Sequence, residues 1–215
     1  MKFVTEKQLR RRQEILSAAR NLLSEAGYAG VTMRALAKTC GVSTKLLYDV
    51  YGSKEALISQ AVAERIGLVY DAIESGTREK GVGHLMAISS GIADAMLELP
   101  NFAHAFANGI VLQREIYTRE DYSTRAIRRC LLEIIQRGDL PRDHDLHLLE
   151  MLIRMQLQSV IMHWNTGGVP DAQLRAFLQL GVCNVLKTLV IGASGKQLLE
   201  IEASLLKEIG TAFAF

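Results

Sequence analysis

Apolar positions recur along this chain with a helical period, and no stretch alternates with the period of two that a half-buried strand requires. Ile15, Ala18, Ala19, Leu22 and Leu23 line one face of a first helix, from about Glu6 to Ala26, which Gly27 ends. Thr32 is placed to cap a short second helix, Met33 to Thr39. Gly41 breaks that helix, and Ser43 or Thr44 caps a third that reaches about Tyr51. Ser53 caps a fourth, Lys54 to about Glu74, with Leu57, Ile58, Ala61, Val62, Ile66 and Val69 facing inward. Beyond Gly76 the spacing predicts longer helices at about 82–98, 101–117, 121–137, 144–165, 171–191 and 196–209, with breaks at positions such as Leu99-Pro100 and Gly167-Gly168-Val169-Pro170. The predicted class is all-α: a three-helix N-terminal domain over residues 1–53, followed by a larger helical domain over residues 54–215.

Composition narrows the class. With 49% hydrophobic and 22% charged residues in a length of 215, the chain reads as globular and long enough to bury a core unaided. No uncharged apolar stretch reaches the roughly 18 residues that cross a bilayer, and the first residues lack the apolar run of a secretion signal. A cytoplasmic protein is the expectation. Cys40, Cys130 and Cys183 lie far apart without a Cys-x-x-Cys pair, which suits reduced thiols. The net charge of +2 conceals an asymmetry. Residues 1–58 carry ten Lys/Arg against five Asp/Glu, whereas the remainder carries 15 against 18. A basic unit joined to a mildly acidic one points to a polyanion as partner of the first part only.

Met33 to Tyr51 has helix-turn-helix spacing. Ala37 stands where two helices would cross, and Gly41, four residues on, allows the positive φ of a tight turn. Leu36, Cys40, Val42, Leu47 and Val50 are the expected small core between them, leaving Ser43, Thr44, Lys45 and Tyr48 as a polar face. The same spacing alone also suits an ordinary helical hairpin. Three runs, Thr32-Met33-Arg34-Ala35-Leu36-Ala37, Cys40-Gly41-Val42-Ser43 and Leu47 through Leu57, together with Ile15 to Ala19 and Gly27-Tyr28, resemble the N-terminal domain of TetR-type transcriptional regulators over about residues 10–58. The resemblance implies a homodimeric, ligand-responsive regulator, usually a repressor, whose first three helices bind double-stranded DNA. Three departures stand out: Asp49 and Tyr51 occupy positions where that family often has His and Phe, and Ala35 replaces the acidic residue of a capping box.

A third helix of about eight residues, roughly 12 Å long, suits insertion of its N-terminal end into the major groove. Thr44 and Lys45 then come nearest the base edges, Lys45 suited to guanine and Thr44 to a thymine methyl. Backbone amides near Thr32 and Met33 can hold a phosphate at the start of the second helix. By resemblance Tyr48, Tyr51 and Lys54 are further phosphate contacts, and Arg34 joins them, with Ser43 at the cap beside them. Arg10, Arg11 and Arg12 either reach the DNA backbone or minor groove or simply solvate the helix start. A unit this small binds weakly alone, so a dimer on a near-palindrome is expected.

The second part predicts a pairing surface and a pocket. The 144–165 segment is apolar on all sides, from Leu146 to Trp164, and the 171–191 segment repeats the pattern around Gly181. A four-helix interface between two copies, formed by these two helices, follows. Phe102, His104, Phe106, Asn108, Gln113, Gln156, His163 and Trp164 are candidate linings for a small, largely apolar effector. No nucleophile, phosphate-loop or dinucleotide motif and no metal-ligand spacing occurs, so neither enzyme activity nor a cofactor or metal is expected. The competing class is a helical small-molecule carrier with a degenerate DNA-binding unit.

Overall fold

A computed structural model describes residues 6–110 and 122–212, and every regular element among them is helical. In chain order these are α1 (Glu6–Gly30), α2 (Met33–Thr39), α3 (Thr44–Tyr51), α4 (Lys54–Gly76), α5 (Val82–Glu98), α6 (Pro100–Ile110), α7 (Tyr122–Gln136), α8 (Leu146–Asn165), α9 (Leu174–Leu186) and α10 (Gly192–Ala212). Gly27, at φ 64°, leaves helical geometry inside α1, which is the expected end of the first long helical run. The remainder of the helix expected at 101–117 lies outside the described residues. The helix expected at 171–191 is shorter: a 3₁₀ turn at Asp171–Gln173 precedes α9, which stops at Leu186.

The chain divides into two compact units, Met1–Gly67 with Leu99–Ile116, and Leu68–Glu98 with Tyr117–Phe215. The first unit is built on α1, against which α2 and α6 pack, while α3 packs on α2. Leu16, Leu23, Val31, Leu36, Leu47 and Leu57 are almost wholly buried at its centre, joined by Phe102 and Ala105 from α6. Arg20 of α1 pairs with Glu64 of α4. The residues of α6 thus belong to the N-terminal unit's core, whereas the sequence reading grouped everything after residue 53 together.

In the second unit α9 is central, packing against α8, α5 and α10. Its Leu174, Leu178, Val182, Cys183 and Leu186 are buried, and α8 approaches so closely that a side chain at Gly181 would touch Gln156. Helix α8 has two unlike faces. Leu149, Ile153, Leu157 and Trp164 are buried, as is Glu150, whose carboxylate accepts from Arg128 Nε at 2.5 Å and Nη2 at 3.0 Å. The other face exposes Leu148, Met151, Leu152 and Met155, spaced i, i+3, i+4, i+7. Asp145 caps α8 by accepting from the His147 and Leu148 amides. All three cysteines are free thiols, Cys130 and Cys183 wholly buried. Among the described residues no helix is long and apolar enough to cross a membrane.

Candidate nucleic-acid interface

Two capped short helices and one tight turn form the candidate interface. Thr32 Oγ1 accepts from the Ala35 amide at 3.1 Å, starting α2 without the missing acidic partner of a capping box. Gly41, at φ 62°, turns the chain so that the Val42 amide reaches the Ala37 carbonyl at 3.0 Å. Ser43 Oγ then accepts from the Leu46 amide at 3.1 Å and starts α3, which settles the cap on Ser43 and makes Thr44 the first helical residue. Ala37 and Leu36 are buried beneath the crossing, with Leu47 of α3. Gly52, past the end of α3, donates to the Tyr48 carbonyl at 2.8 Å.

The face that this arrangement turns outward holds most of the expected contacts. Thr32, Arg34, Ser43, Lys45 and Tyr48 are exposed and Thr44 is half-buried. Arg34 and Lys45 have no hydrogen-bonded or ion-paired side-chain partner among the described residues, so both charges face solvent. Asp49 and Val50 are exposed as well. Val50 therefore departs from the expected small core: its position in α3 turns it outward, 59% exposed.

Two expected contacts are corrected. Tyr51 is only 6% exposed and packs in the unit's core, one turn after buried Leu47, so its ring is a packing group. Its hydroxyl is buried without a hydrogen-bond partner among the described residues, and burial raises its pKa above the ordinary tyrosine value. Lys54 is half-buried and already engaged: Nζ donates to the Tyr28 carbonyl at 2.9 Å and lies 4.4 Å from the Tyr28 ring centroid. It ties the start of α4 to the end of α1. Cys40, half-buried at the turn, has its thiol pKa raised by burial and by Glu14, which keeps it protonated at neutral pH.

The expected effector lining is divided between the two units, Phe102, His104 and Phe106 in the first and Gln156, His163 and Trp164 in the second. Phe102 and Phe106 are stacked, 6.5 Å between centroids, against the core of the N-terminal unit, because α6 lies on α1. They are core packing rather than pocket walls, and His104 beside them is half-buried. Gln156 and His163 are exposed, and His163 Nδ1 meets the Ser159 carbonyl at 2.8 Å. Trp164 is buried, its Nε1 donating to Asp171 at 2.7 Å, which fixes the 3₁₀ turn. The readings at Asn108 and Gln113 lie outside what the structure describes.

A polar cluster that no sequence expectation includes stands at the end of α4. Glu74 pairs with Arg129 of α7 and lies 3.3 Å from Nε2 of buried His84 on α5. Glu133 of α7 accepts from the Gly81 amide at 2.6 Å. No sequence signal joins Glu74, His84, Arg129 and Glu133, which come from three different helices.

Comparison with known proteins places this geometry. Residues 15–68 match the family model of bacterial regulatory proteins of the tetR family. The transcriptional regulator UidR of Escherichia coli is 42% identical over 53 residues, 25% of this chain and 27% of UidR. The match to these relatives thus spans about a quarter of their length. The transcriptional repressor AcnR of Corynebacterium efficiens is 23% identical over 173 residues, 76% of this chain and 86% of AcnR. Among solved structures, FadR of Thermus thermophilus, a TetR-family transcriptional repressor in complex with lauroyl-CoA, superposes with a TM-score of 0.69 at 16% identity, covering 84% of this chain and 96% of that one. That likeness shows the all-α fold: an N-terminal helix-turn-helix unit followed by a larger helical region.

Proposed function

We propose that the protein, whose residues 15–68 match the tetR-family model, is a ligand-responsive transcriptional regulator that acts as a repressor. It binds a near-palindromic operator as a homodimer and is released by a small, largely apolar effector. The observation that carries this reading is α3: a capped helix whose outward face offers Thr44, Lys45 and Tyr48 beside exposed Arg34, in the part of the chain where basic residues are in excess. The start of the helix aims at base edges and the flanking cations take phosphates. Thr32, Arg34, Ser43, Thr44, Lys45 and Tyr48 make up this surface, with Lys54 holding the start of α4 behind it.

Dimerisation through α8, with α9 beside it, is supported by the exposed Leu148, Met151, Leu152 and Met155 stripe. A second copy of the same face would cover it with its own apolar stripe. The effector's apolar character draws support from the lauroyl-CoA that Thermus thermophilus FadR holds. Release requires that the ligand prefer the geometry that does not fit DNA.

The test begins by selecting DNA fragments that the full chain retains, then titrating salt. With six or more phosphate contacts the affinity is expected to fall by about 10³-fold between 50 and 200 mM salt. An affinity insensitive to salt, or equal for selected and random duplexes, overturns the reading in favour of a carrier. Lauroyl-CoA serves as the first effector probe; if it saturates the protein and leaves DNA affinity unchanged, release by a ligand of this class is overturned.

A further inference from the structure

The two charged side chains on the outward face of α3 are arranged against the electrostatics of the helix that carries them. Lys45 stands in the first turn, where the helix dipole favours an anion, and Asp49 stands in the last turn, where it favours a cation. The order, cation four residues before anion, is also the weaker orientation for an i, i+4 pair. Both residues are exposed, and neither makes an ion pair or side-chain hydrogen bond among the described residues. Neither residue therefore serves the stability of α3. A carboxylate can only accept hydrogen bonds, and on a surface that docks between rows of phosphates it costs affinity wherever it lacks a donor.

Resting on the DNA-binding reading above, we propose that Asp49 is a specificity-determining residue that accepts a hydrogen bond from the N4 amino group of a cytosine. Four bases present different edges in the major groove. Guanine offers two acceptors, thymine an acceptor and a methyl, and adenine places its amino group beside the N7 acceptor. Cytosine alone presents a donor amino group with no neighbouring acceptor in the groove, which is the partner a carboxylate selects. Lys45, a pure donor, takes guanine O6 and N7. Residues 45 and 49 are separated by about 6 Å along the helix, close to two base-pair steps of about 3.4 Å each. One helix face thus reads a guanine with its cation and, one or two steps away, a cytosine with its anion. The carboxylate works by exclusion as well: it repels guanine or thymine at the same place and lowers affinity for unselected DNA.

The experiment uses the full chain and a random duplex library, with wild type, Asp49→Ala and Asp49→Asn compared. Wild type is expected to enrich a half-site with one cytosine that, when replaced, loses roughly 5- to 100-fold in affinity. Asp49→Ala is expected to lose the preference at that base pair alone, keep it elsewhere, and bind random DNA more tightly. Asp49→Asn is expected to move the preference toward adenine, whose N6 and N7 an amide pairs with. Far-ultraviolet circular dichroism checks that both variants fold, as an exposed position should allow. If both folded variants select the same bases with the same preference as wild type, the assignment of Asp49 is overturned while the DNA-binding reading stands. If wild type itself enriches no sequence, the DNA-binding reading falls and the assignment with it.

Discussion

Among the described residues the buried Tyr51 hydroxyl has no hydrogen-bond partner, and an unsatisfied buried polar group costs about 1–3 kcal/mol. Tyr51→Phe removes that atom and keeps the ring. It is expected to raise the urea midpoint of unfolding, by up to about 1 kcal/mol in stability, and to leave DNA affinity unchanged. A tenfold loss of DNA affinity by a folded variant would return the hydroxyl to the phosphate backbone. The same residue marks the limit of what the chain's pattern reveals at this scale. In an eight-residue helix Leu47, Val50 and Tyr51 all fall within reach of one stripe, at i, i+3 and i+4. Tyr51 is the one that turns inward, into a core with residues of α1, α2 and α4, and periodicity within α3 alone does not choose between them. The caps were legible because their chemistry is local: Thr32 and Ser43 each close a hydrogen bond three residues on.

Among the elements, α8 carries the sharpest expectation. Its buried face is committed to its own chain and its exposed face is apolar, so Leu152→Glu places a charge in the centre of the proposed pairing surface. The variant is expected to sediment as a monomer at micromolar concentration, and wild type as a dimer. Its helicity should be unchanged, because Leu152 is 38% exposed within the chain. A wild type that is itself monomeric would sink the pairing surface. This stripe could be read directly from spacing, as could the positions of most helices. Two other features of the elements could not. Glu150 lies in the middle of an apolar run and is stable there only because Arg128, on the preceding helix, supplies two hydrogen bonds. Phe102 and Phe106 form an amphipathic face whichever element covers it, and the one that does is α1, some eighty positions earlier. Long-range docking of this kind has no local signature, so spacing alone does not distinguish a core pair from the walls of a pocket.

At the scale of the whole chain, charges tie the last turns of α4 to α5 and α7 within the second unit, and that makes stability sensitive to acid. His84 is 3% exposed, and burial pushes its pKa below the ordinary imidazole value of 6.5. Glu74 and Glu133 favour the protonated ring; Arg129, 3.4 Å away, opposes it, and the loss of solvation prevails. A group whose folded pKa is depressed binds its proton more readily when the chain unfolds. Above about pH 7.5 the ring is neutral in both states and contributes no pH dependence. As the pH falls through 6.5 the unfolded chain takes up a proton that the folded one refuses, and stability drops. Urea unfolding of wild type and His84→Gln at pH 8, 7, 6 and 5 is expected to show this. Wild type should lose stability between pH 7 and 5 more steeply than the variant, whose slope comes from the remaining groups. If wild type instead gains stability relative to His84→Gln on acidification, the attraction of Glu74 outweighs the burial of the ring. The cluster would then tighten its hold on α4 as protons bind.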